Sequence, residues 1–455
     1  MKQAFWRAID SHPPSSVAVI TDGDSLSYAE LLAHVVSWQE KLGKLSFRPV
    51  VALSMDNRLG AIACYLACLR LAYPVVLFNP SLGAQGKQHL LHRLDPNIWV
   101  EAEQIILRHD KVINTPAALA VVLTTSGSTG GGKYVALSYG NLDSNATAIC
   151  EYLPIVSSDI ALCTMPLSYS YGLSVLHTHL QMGAAIRLTD KTVMDKGFWS
   201  LLTDEAISSL SGVPSFYEML LRLRFTRHAL PALRYFTQAG GKLAENYVNA
   251  LAEYADKTHK GFYVMYGQTE ATARMAYLPC EKVAVKPKSI GQAIPGGKLS
   301  LMDPDGGEIT TAHMEGELIY EGDNVMLGYC EDKTDFAALS ASQRLATGDL
   351  AYRDEDGDFY ICGRLKRIIK LFGERLNLDA LEELFAQKGV NVKACGEDNL
   401  LVLACEPSNK AVAGVWLDEW VSCPPRGKVV IEVDAWPLLP NGKTDYSALL
   451  AQGKR

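Results

Sequence analysis

Apolar residues recur at helical spacing from Ser27 to Leu42, with Ser27 placed as an N-cap and Glu30 as its capping-box partner. The next three segments are almost wholly apolar: Pro49–Ser54, Leu59–Ala72 and Pro74–Phe78. Strand, helix and strand at that spacing predict a βαβ unit in a parallel sheet covered on both faces. Leu119–Leu123 reads as a buried strand, Tyr134–Ser138 as a strand, Asn141–Tyr152 as a helix, and Ile160–Thr164, Ala184–Leu188 and Phe262–Met265 as further strands. After about residue 295 the rhythm shortens. Lys298–Met302 and Gly316–Tyr320 flank a turn at Asp303–Gly307, which suggests a β-rich subdomain. Short strands and one helix, Asp379–Lys388, come after Asp354. The boundary of a small C-terminal domain falls near Leu365–Lys366, giving domains 1–364 and 365–455. The charged run Arg364–Arg367 at that point has a second reading, a solvated turn. The expected fold class is α/β, in part α+β: a large N-terminal domain of βαβ sheets with a β-rich subdomain, then a small α+β C-terminal domain.

Composition narrows the function classes. A chain of 455 residues is expected to hold roughly two or three domains. The hydrophobic share of 48% and charged share of 20% are ordinary globular values. A net charge of −7 without a basic patch argues against a nucleic-acid partner. Ten cysteines lack any C-x-x-C pair or His/Cys ligand spacing, so neither a zinc site nor a disulfide framework is signalled. Reduced thiols, the absence of a signal-peptide pattern and the absence of a membrane-length apolar run predict a cytoplasmic protein without a membrane span.

The candidate chemistry begins behind the Leu119–Leu123 strand. Thr125, Ser126, Gly127, Ser128, Thr129, Gly130 and Lys133 combine backbone-exposing glycines, hydroxyl donors and a cation, which together suit a phosphate. Gly127 to Lys133 fits G-x-x-x-x-G-K. A P-loop next needs Ser or Thr and a helix, and here Tyr134 and a strand come instead. A flexible surface loop is the plain alternative. Further on, Tyr266, Gly267, Gln268, Thr269 and Glu270 succeed a strand, offering a ring for a base, a hydroxyl for phosphate and a carboxylate for Mg²⁺. Thr347-Gly-Asp349, Gly363-Arg364 and Pro437–Lys443 are weak alone.

In order and spacing these segments resemble the adenylate-forming superfamily, which includes acyl-CoA synthetases, peptide-synthetase adenylation domains and luciferases. The likeness runs from about Ser25 to Thr444. It departs at Gly132, usually proline, and at Tyr134, usually glycine. The resemblance implies ATP binding by the 125–130 loop with Lys133, by Gly240 and Gly241, and by Tyr266 to Thr269. Tyr266 would stack on adenine, Thr269 meet the α-phosphate and Glu270 ligate Mg²⁺. Asp349 would hold the ribose hydroxyls, with Arg364 just before a hinge at Lys366. Lys370–Gly373 and Arg375 resemble the loop that swings in for a second half-reaction. Lys443 would bridge the substrate carboxylate and ATP, making Lys443, Thr269 and Glu270 the catalytic set. Tyr169 and Gly172, in Pro166–Gly172, with Val213 and Gln238, would line the acyl pocket. Tyr169 stands where many acyl-CoA synthetases have His. That stretch has no Asp to pair with an α-ammonium group, which favours a carboxylate without one. His177 and His179 read as packing or surface residues.

The implied activity is a two-step ligation: a small carboxylic acid and Mg·ATP give an acyl-adenylate, then a thiol of CoA takes the acyl group as a mobile C-terminal domain turns. A phosphopantetheine arm on a separate carrier protein is the alternative acceptor, for polyketide, peptide or surface-glycan assembly. No carrier domain is expected after Lys443. A non-catalytic nucleotide-binding protein of the same fold is the alternative from another class.

Overall fold

The computed structural model describes residues 3–43, 45–124, 133–421, 423–439 and 443–454. The chain divides into two compact units, Met1–Lys298 with Tyr320–Leu345, and Leu299–Ile319 with Ala346–Arg455.

The first unit is built on two sheets. One has seven strands, with Val51–Ser54 parallel to Val75–Phe78 and to Ile98–Glu101, and Val75–Phe78 parallel to Leu119–Thr124. The helix Leu59–Arg70 makes the crossover between the first two of these, as the all-apolar pattern requires. Leu119–Thr124 then pairs antiparallel with Tyr134–Ser138, Thr124 opposite Tyr134. The glycine-rich segment therefore joins two strands of a hairpin, which rules out a strand-to-helix P-loop. Residues Thr125, Ser126, Gly127, Ser128, Thr129 and Gly130 lie outside the described residues.

The second sheet has nine strands. Its centre is parallel: Ala185–Leu188, Ile160–Cys163, Ser209–Gly212, Tyr235–Gln238 and Gly261–Tyr266 are successive neighbours. Between the sheets lies a core of Leu31, Val35, Trp38, Ile62, Leu66, Leu173 and Leu176 with their neighbours, all buried. The Ser27 N-cap forms as the pattern foretells. Glu30 N–H donates to Ser27 Oγ (3.3 Å) and Ser27 N–H to Glu30 Oε2 (2.7 Å).

The second unit holds strand residues 299–302, 316–319, 346–353 and 359–364, neighbours in that order in one sheet. It also holds a hairpin, Ile368–Leu371 with Glu374–Asn377, and a three-stranded sheet carrying the helices Leu378–Gln387, Lys410–Trp420 and Tyr446–Gly453. Among the described residues, no helix is long and apolar enough to cross a membrane.

His177 and His179 are both buried, 2% and 3% exposed. The His177 ring stacks on Phe5 at 3.9 Å between centroids, and its Nε2 lies 2.9 Å from the Tyr65 hydroxyl. Burial drives this imidazole down to about 3. The unfolded chain binds a proton there below about pH 6.5 that the folded chain refuses, so stability falls on acidification by about 1.4 kcal/mol per pH unit for this group. Urea unfolding between pH 7.5 and 5.0 is expected to show that slope. His177→Gln should reduce it by about one proton; an unchanged slope would mean His177 is protonated in the fold.

Candidate active site

Four neighbouring parallel strands end on the same edge of the nine-stranded sheet. Their register pairs Leu162 with Leu210, Gly212 with Gln238, and Gln238 with Val264. Immediately past these ends come Pro166–Tyr169, Val213, Ala239–Gly241 and Gly267–Glu270. Segments a hundred residues apart in sequence thus share one rim, the place where open α/β sheets bind ligands. A Cβ on Gly240 would come within 2.9 Å of the Tyr169 hydroxyl and 3.1 Å of Val213 Cγ1, and Gly240 has φ +86°. Glycine is needed there for backbone conformation as much as for space. Gln238 is buried and its Nε2 donates to the Gly241 carbonyl at 2.8 Å, so it braces this glycine turn. Gly172 sits where a Cβ would fall 2.4 Å from the Pro166 carbonyl oxygen, and Gly212 where one would strike the Phe216 ring at 2.2 Å. Both glycines admit protein neighbours.

Tyr266 to Glu270 are all half-buried. Gly267 is a close-approach glycine, since a Cβ would lie 1.9 Å from the Ala273 carbonyl oxygen. Thr269 opens a short 3₁₀ turn, Thr269–Ala271, and its Oγ1 lies 3.3 Å from Ser170 Oγ. Glu270 Oε1 accepts from the Tyr329 hydroxyl at 2.9 Å, and its carbonyl accepts from Met326 N–H at 2.9 Å. Burial, then the Glu270 charge, pushes the Tyr329 hydroxyl above its ordinary range, so it stays a donor. Tyr329 belongs to the other sheet, opposite Val135, and the Lys133 ammonium lies 5.0 Å from its ring centroid and 3.7 Å from Glu331. One aromatic side chain thereby ties the cation beside the glycine-rich hairpin to the carboxylate of the Tyr266–Glu270 segment.

Behind Glu270 the backbone is strained. Thr272 has φ +66° and ψ −61°, with Ala273 N–H bonded to the Ala271 carbonyl at 2.7 Å, a γ-turn that a β-branched residue rarely adopts. Buried Asn324 holds it, donating from Nδ2 to the carbonyls of Ala271 and Arg274, both at 2.9 Å. Thr272 Oγ1 donates to the Asn324 carbonyl at 2.8 Å, and Asn145 Nδ2 to the Arg274 carbonyl at 2.9 Å.

In the second unit, Asp349 is 1% exposed and pairs across the sheet with Arg364, whose Nε lies 2.7 Å from Asp349 Oδ1. The Thr347 hydroxyl accepts from Asp349 N–H at 3.1 Å and donates to the Leu318 carbonyl at 2.7 Å. Lys366 is exposed in the 3₁₀ turn Leu365–Arg367. The Arg364–Arg367 run is not simply a solvated turn. Arg367 bonds Asp379 at 2.5 Å and Glu382 at 2.7 Å, and stacks 4.0 Å from the Tyr446 ring centroid. The Lys443 carbonyl accepts from Leu439 N–H at 2.8 Å, and Leu438 is bridged to Thr444. Lys443 is half-buried.

Sequence reasoning missed Tyr329, Asn324 and Asn145. None sits in a recognisable pattern, because each acts on a segment far from it in the chain.

The family described as AMP-binding enzyme matches residues 99–330. A D-alanine–D-alanyl carrier protein ligase of Bacillus licheniformis is 24% identical over 404 residues, 81% of this chain and 80% of that protein. A 2-succinylbenzoate–CoA ligase of Bacillus cytotoxicus is 26% identical over 397 residues, 82% of this chain and 80% of that one. Among solved structures, o-succinylbenzoate CoA synthetase of Bacillus subtilis with its acyl-adenylate superposes with a TM-score of 0.80 at 21% identity, covering 98% of each chain. ATP-bound MatB of Rhodopseudomonas palustris gives 0.80 at 22%, covering 99% of each.

Asn324→Ala strips the donor from the Ala271 carbonyl and the partner from the Tyr320 hydroxyl, 2.8 Å away. It is expected to cost about 2–3 kcal/mol in denaturant unfolding. A loss below about 0.5 kcal/mol would show that the Thr272 turn is held by other groups.

Proposed function

The chain belongs to the AMP-binding enzyme family, and on that premise we propose that it activates a small carboxylic acid with ATP and passes the acyl group to a thiol. A carboxylate oxygen attacks the α-phosphorus, the bond to the bridging oxygen of the β-phosphate breaks, and pyrophosphate leaves. A thiol sulfur then attacks the acyl carbon of the adenylate. The acyl–oxygen bond breaks, AMP departs with that electron pair, and the thiol proton goes to solvent.

The observation that carries this reading is the gathering of Tyr169, Val213, Gln238–Gly241 and Tyr266–Glu270 at the carboxyl ends of adjacent parallel strands. Tyr266 is assigned to the adenine and Gly240 and Gly241 to the nucleotide, where absent Cβ atoms let backbone approach. Thr269 and Lys133 are assigned to phosphate. Glu270 suits Mg²⁺. It is half-buried, with one oxygen fixed by Tyr329 and its second oxygen not needed for that bond. When bound, Mg²⁺ neutralises phosphate charge. What the chain itself does is hold the carboxylate still, through Tyr329 and the Asn324-pinned turn.

Asp349 is assigned to the ribose hydroxyls, for which a buried carboxylate is a strong acceptor. Lys443 is assigned to the charge that builds on the reacting oxygens. We take 365–455 as the moving lid, with Lys366 its hinge. Arg364 is tied to Asp349 before this point and Arg367 to Asp379 and Glu382 after it, so Leu365 and Lys366 lie between two anchored arginines. The acceptor is CoA or a carrier-protein phosphopantetheine. Use of ATP and such a thiol fits work in the cytoplasm.

Carboxylate-dependent ATP–pyrophosphate exchange over fatty, aryl, hydroxy and amino acids tests the reading. A clear hit with release of AMP is expected; hydrolysis to ADP, or ATP binding without exchange for every acid, would overturn it. Lys443→Ala is expected to lower exchange by about 10²- to 10³-fold while sparing thioester formation from a supplied acyl-adenylate. Lys366→Pro should do the reverse, because a locked φ opposes rotation at the hinge. Survival of both half-reactions in either variant would refute that residue's role.

A further inference from the structure

Among the described residues the molecule buries two arginines, Arg187 and Arg274, and half-buries others, Arg48 and Arg367 among them. Arg187 bonds Glu205 through Nε and Nη2 at 2.7 and 2.9 Å, with Asp22 at 3.0 Å. Arg48 donates to the carbonyls of Ala72, Pro116, Ala117 and Leu119. Arg367 has Asp379 and Glu382. Arg274 is 3% exposed. Among the described residues its guanidinium has a single hydrogen-bond partner, the Ala273 carbonyl 3.1 Å from Nη1, and its buried Nε has none. Among the described residues no carboxylate lies within ion-pair distance of it. Arginine keeps its charge in proteins, and a buried charge without a counter-charge is costly.

The rest of its surroundings say what the charge faces. Tyr171 lies under the guanidinium, 3.9 Å from Cζ to the ring centroid, so one flat face is covered while the N–H edges stay directed outward in the plane. Arg274 lines a cavity of about 20 Å³ together with Tyr171, Val175, Ser211, Thr237 and Met265. That volume exceeds what a single water needs and suits one small polar group. Ser211 and Thr237 are the inward side chains of two parallel strands, with their hydroxyls 3.0 Å apart. Their next neighbours in sequence are Gly212–Val213 and Gln238, the segments proposed for the acyl pocket. Tyr169 and Tyr171 stand 6.5 Å apart between centroids, with Arg274 against the inner one. The γ-turn pinned by Asn324 and Asn145 fixes the backbone of Arg274 itself.

We propose that Arg274 is a specificity-determining residue that receives a second carboxylate at the far end of the acyl substrate, so that the enzyme prefers short dicarboxylic acids. This rests on the adenylation reading above. The carboxylate would supply the counter-charge that the fold withholds, and its planar pair of oxygens matches the guanidinium edge. A neutral acid of the same length would leave the guanidinium buried and unmatched, a strong basis for rejection.

The full-length protein is tested with malonate, succinate, glutarate and adipate, each against its monomethyl ester. Two readouts are taken: ATP–pyrophosphate exchange, and binding by calorimetric titration without ATP turnover. At least one diacid is expected to exceed its ester about 100-fold or more in exchange kcat/KM. Arg274→Gln should collapse that preference to below about 10-fold, and Arg274→Lys should restore part of it. Equal handling of diacid and ester by the unmodified enzyme overturns the proposal without any variant having to fold. So does exchange with other acids while no diacid binds, an outcome that leaves adenylation standing. Arg274-dependent diacid binding without exchange supports the subsite and refutes adenylation. Neither binding nor exchange with any acid overturns both.

Discussion

The parallel register of Ile160–Cys163, Ser209–Gly212, Tyr235–Gln238 and Gly261–Tyr266 is the constraint on which the first unit's chemistry depends. Parallel strands run the same way, so all four leave the sheet at one edge, and the loops that continue them lie side by side. The register is held by burial on both faces. Leu162, Leu210, Phe236 and Phe262 point into one packed cluster, where Phe236 and Phe262 stack at 4.7 Å. A slip of one residue would turn these rings out and the intervening polar side chains in. The hydrophobic cluster and the alignment of the rim are therefore one requirement.

Polar groups complete what the sheet begins. The rim loops are irregular, and irregular buried backbone must find donors and acceptors. Gln238 does this for the glycine turn at Gly241, and Asn324 and Asn145 for the strained turn at Thr272. Each uses a short amide that donates and accepts at fixed angles, so the turn is held in place as well as satisfied. Against that background of matched groups, the unmatched guanidinium of Arg274 stands out. Arg187 and Arg367 meet carboxylates and Arg48 fills its N–H groups with backbone carbonyls, whereas Arg274 has one carbonyl among the described residues, which fits a charge held for a ligand.

The second unit uses ion pairs to fix direction. Asp349 with Arg364, and Arg367 with Asp379 and Glu382, bracket two residues. Burial raises the Glu382 carboxyl, opposed by Lys393 and Arg367. The pairing keeps Glu382 usable as a joint between the helix Leu378–Gln387, the Ala394 backbone and Tyr446. These contacts stiffen the chain on either side of Leu365–Lys366 and leave the turn itself exposed.

Most of the architecture was legible along the chain. The capping box at Ser27, the apolar βαβ run from Pro49 to Phe78 and the strand after the glycine-rich segment are local patterns, and local chemistry decided them. The motif order likewise disclosed the nucleotide chemistry, because glycine, hydroxyl and carboxylate groups must occur together to serve phosphate and metal. What no window of sequence could hold was the pairing between distant segments. Tyr329 reaches Glu270, Asn324 reaches Ala271 and Arg367 reaches Glu382. Nor could it show that Gly172 and Gly212 are filled by neighbours, or that Arg274, a residue type normally exposed, is buried with no counter-charge among the described residues. Contacts of that kind depend on which strands lie side by side, and sheet pairing is a property of the whole chain. Sequence determined the elements and the chemical class; only the tertiary structure decided which side chains stand together at the rim, because hydrogen bonds and charge act over ångströms of space and not along the chain.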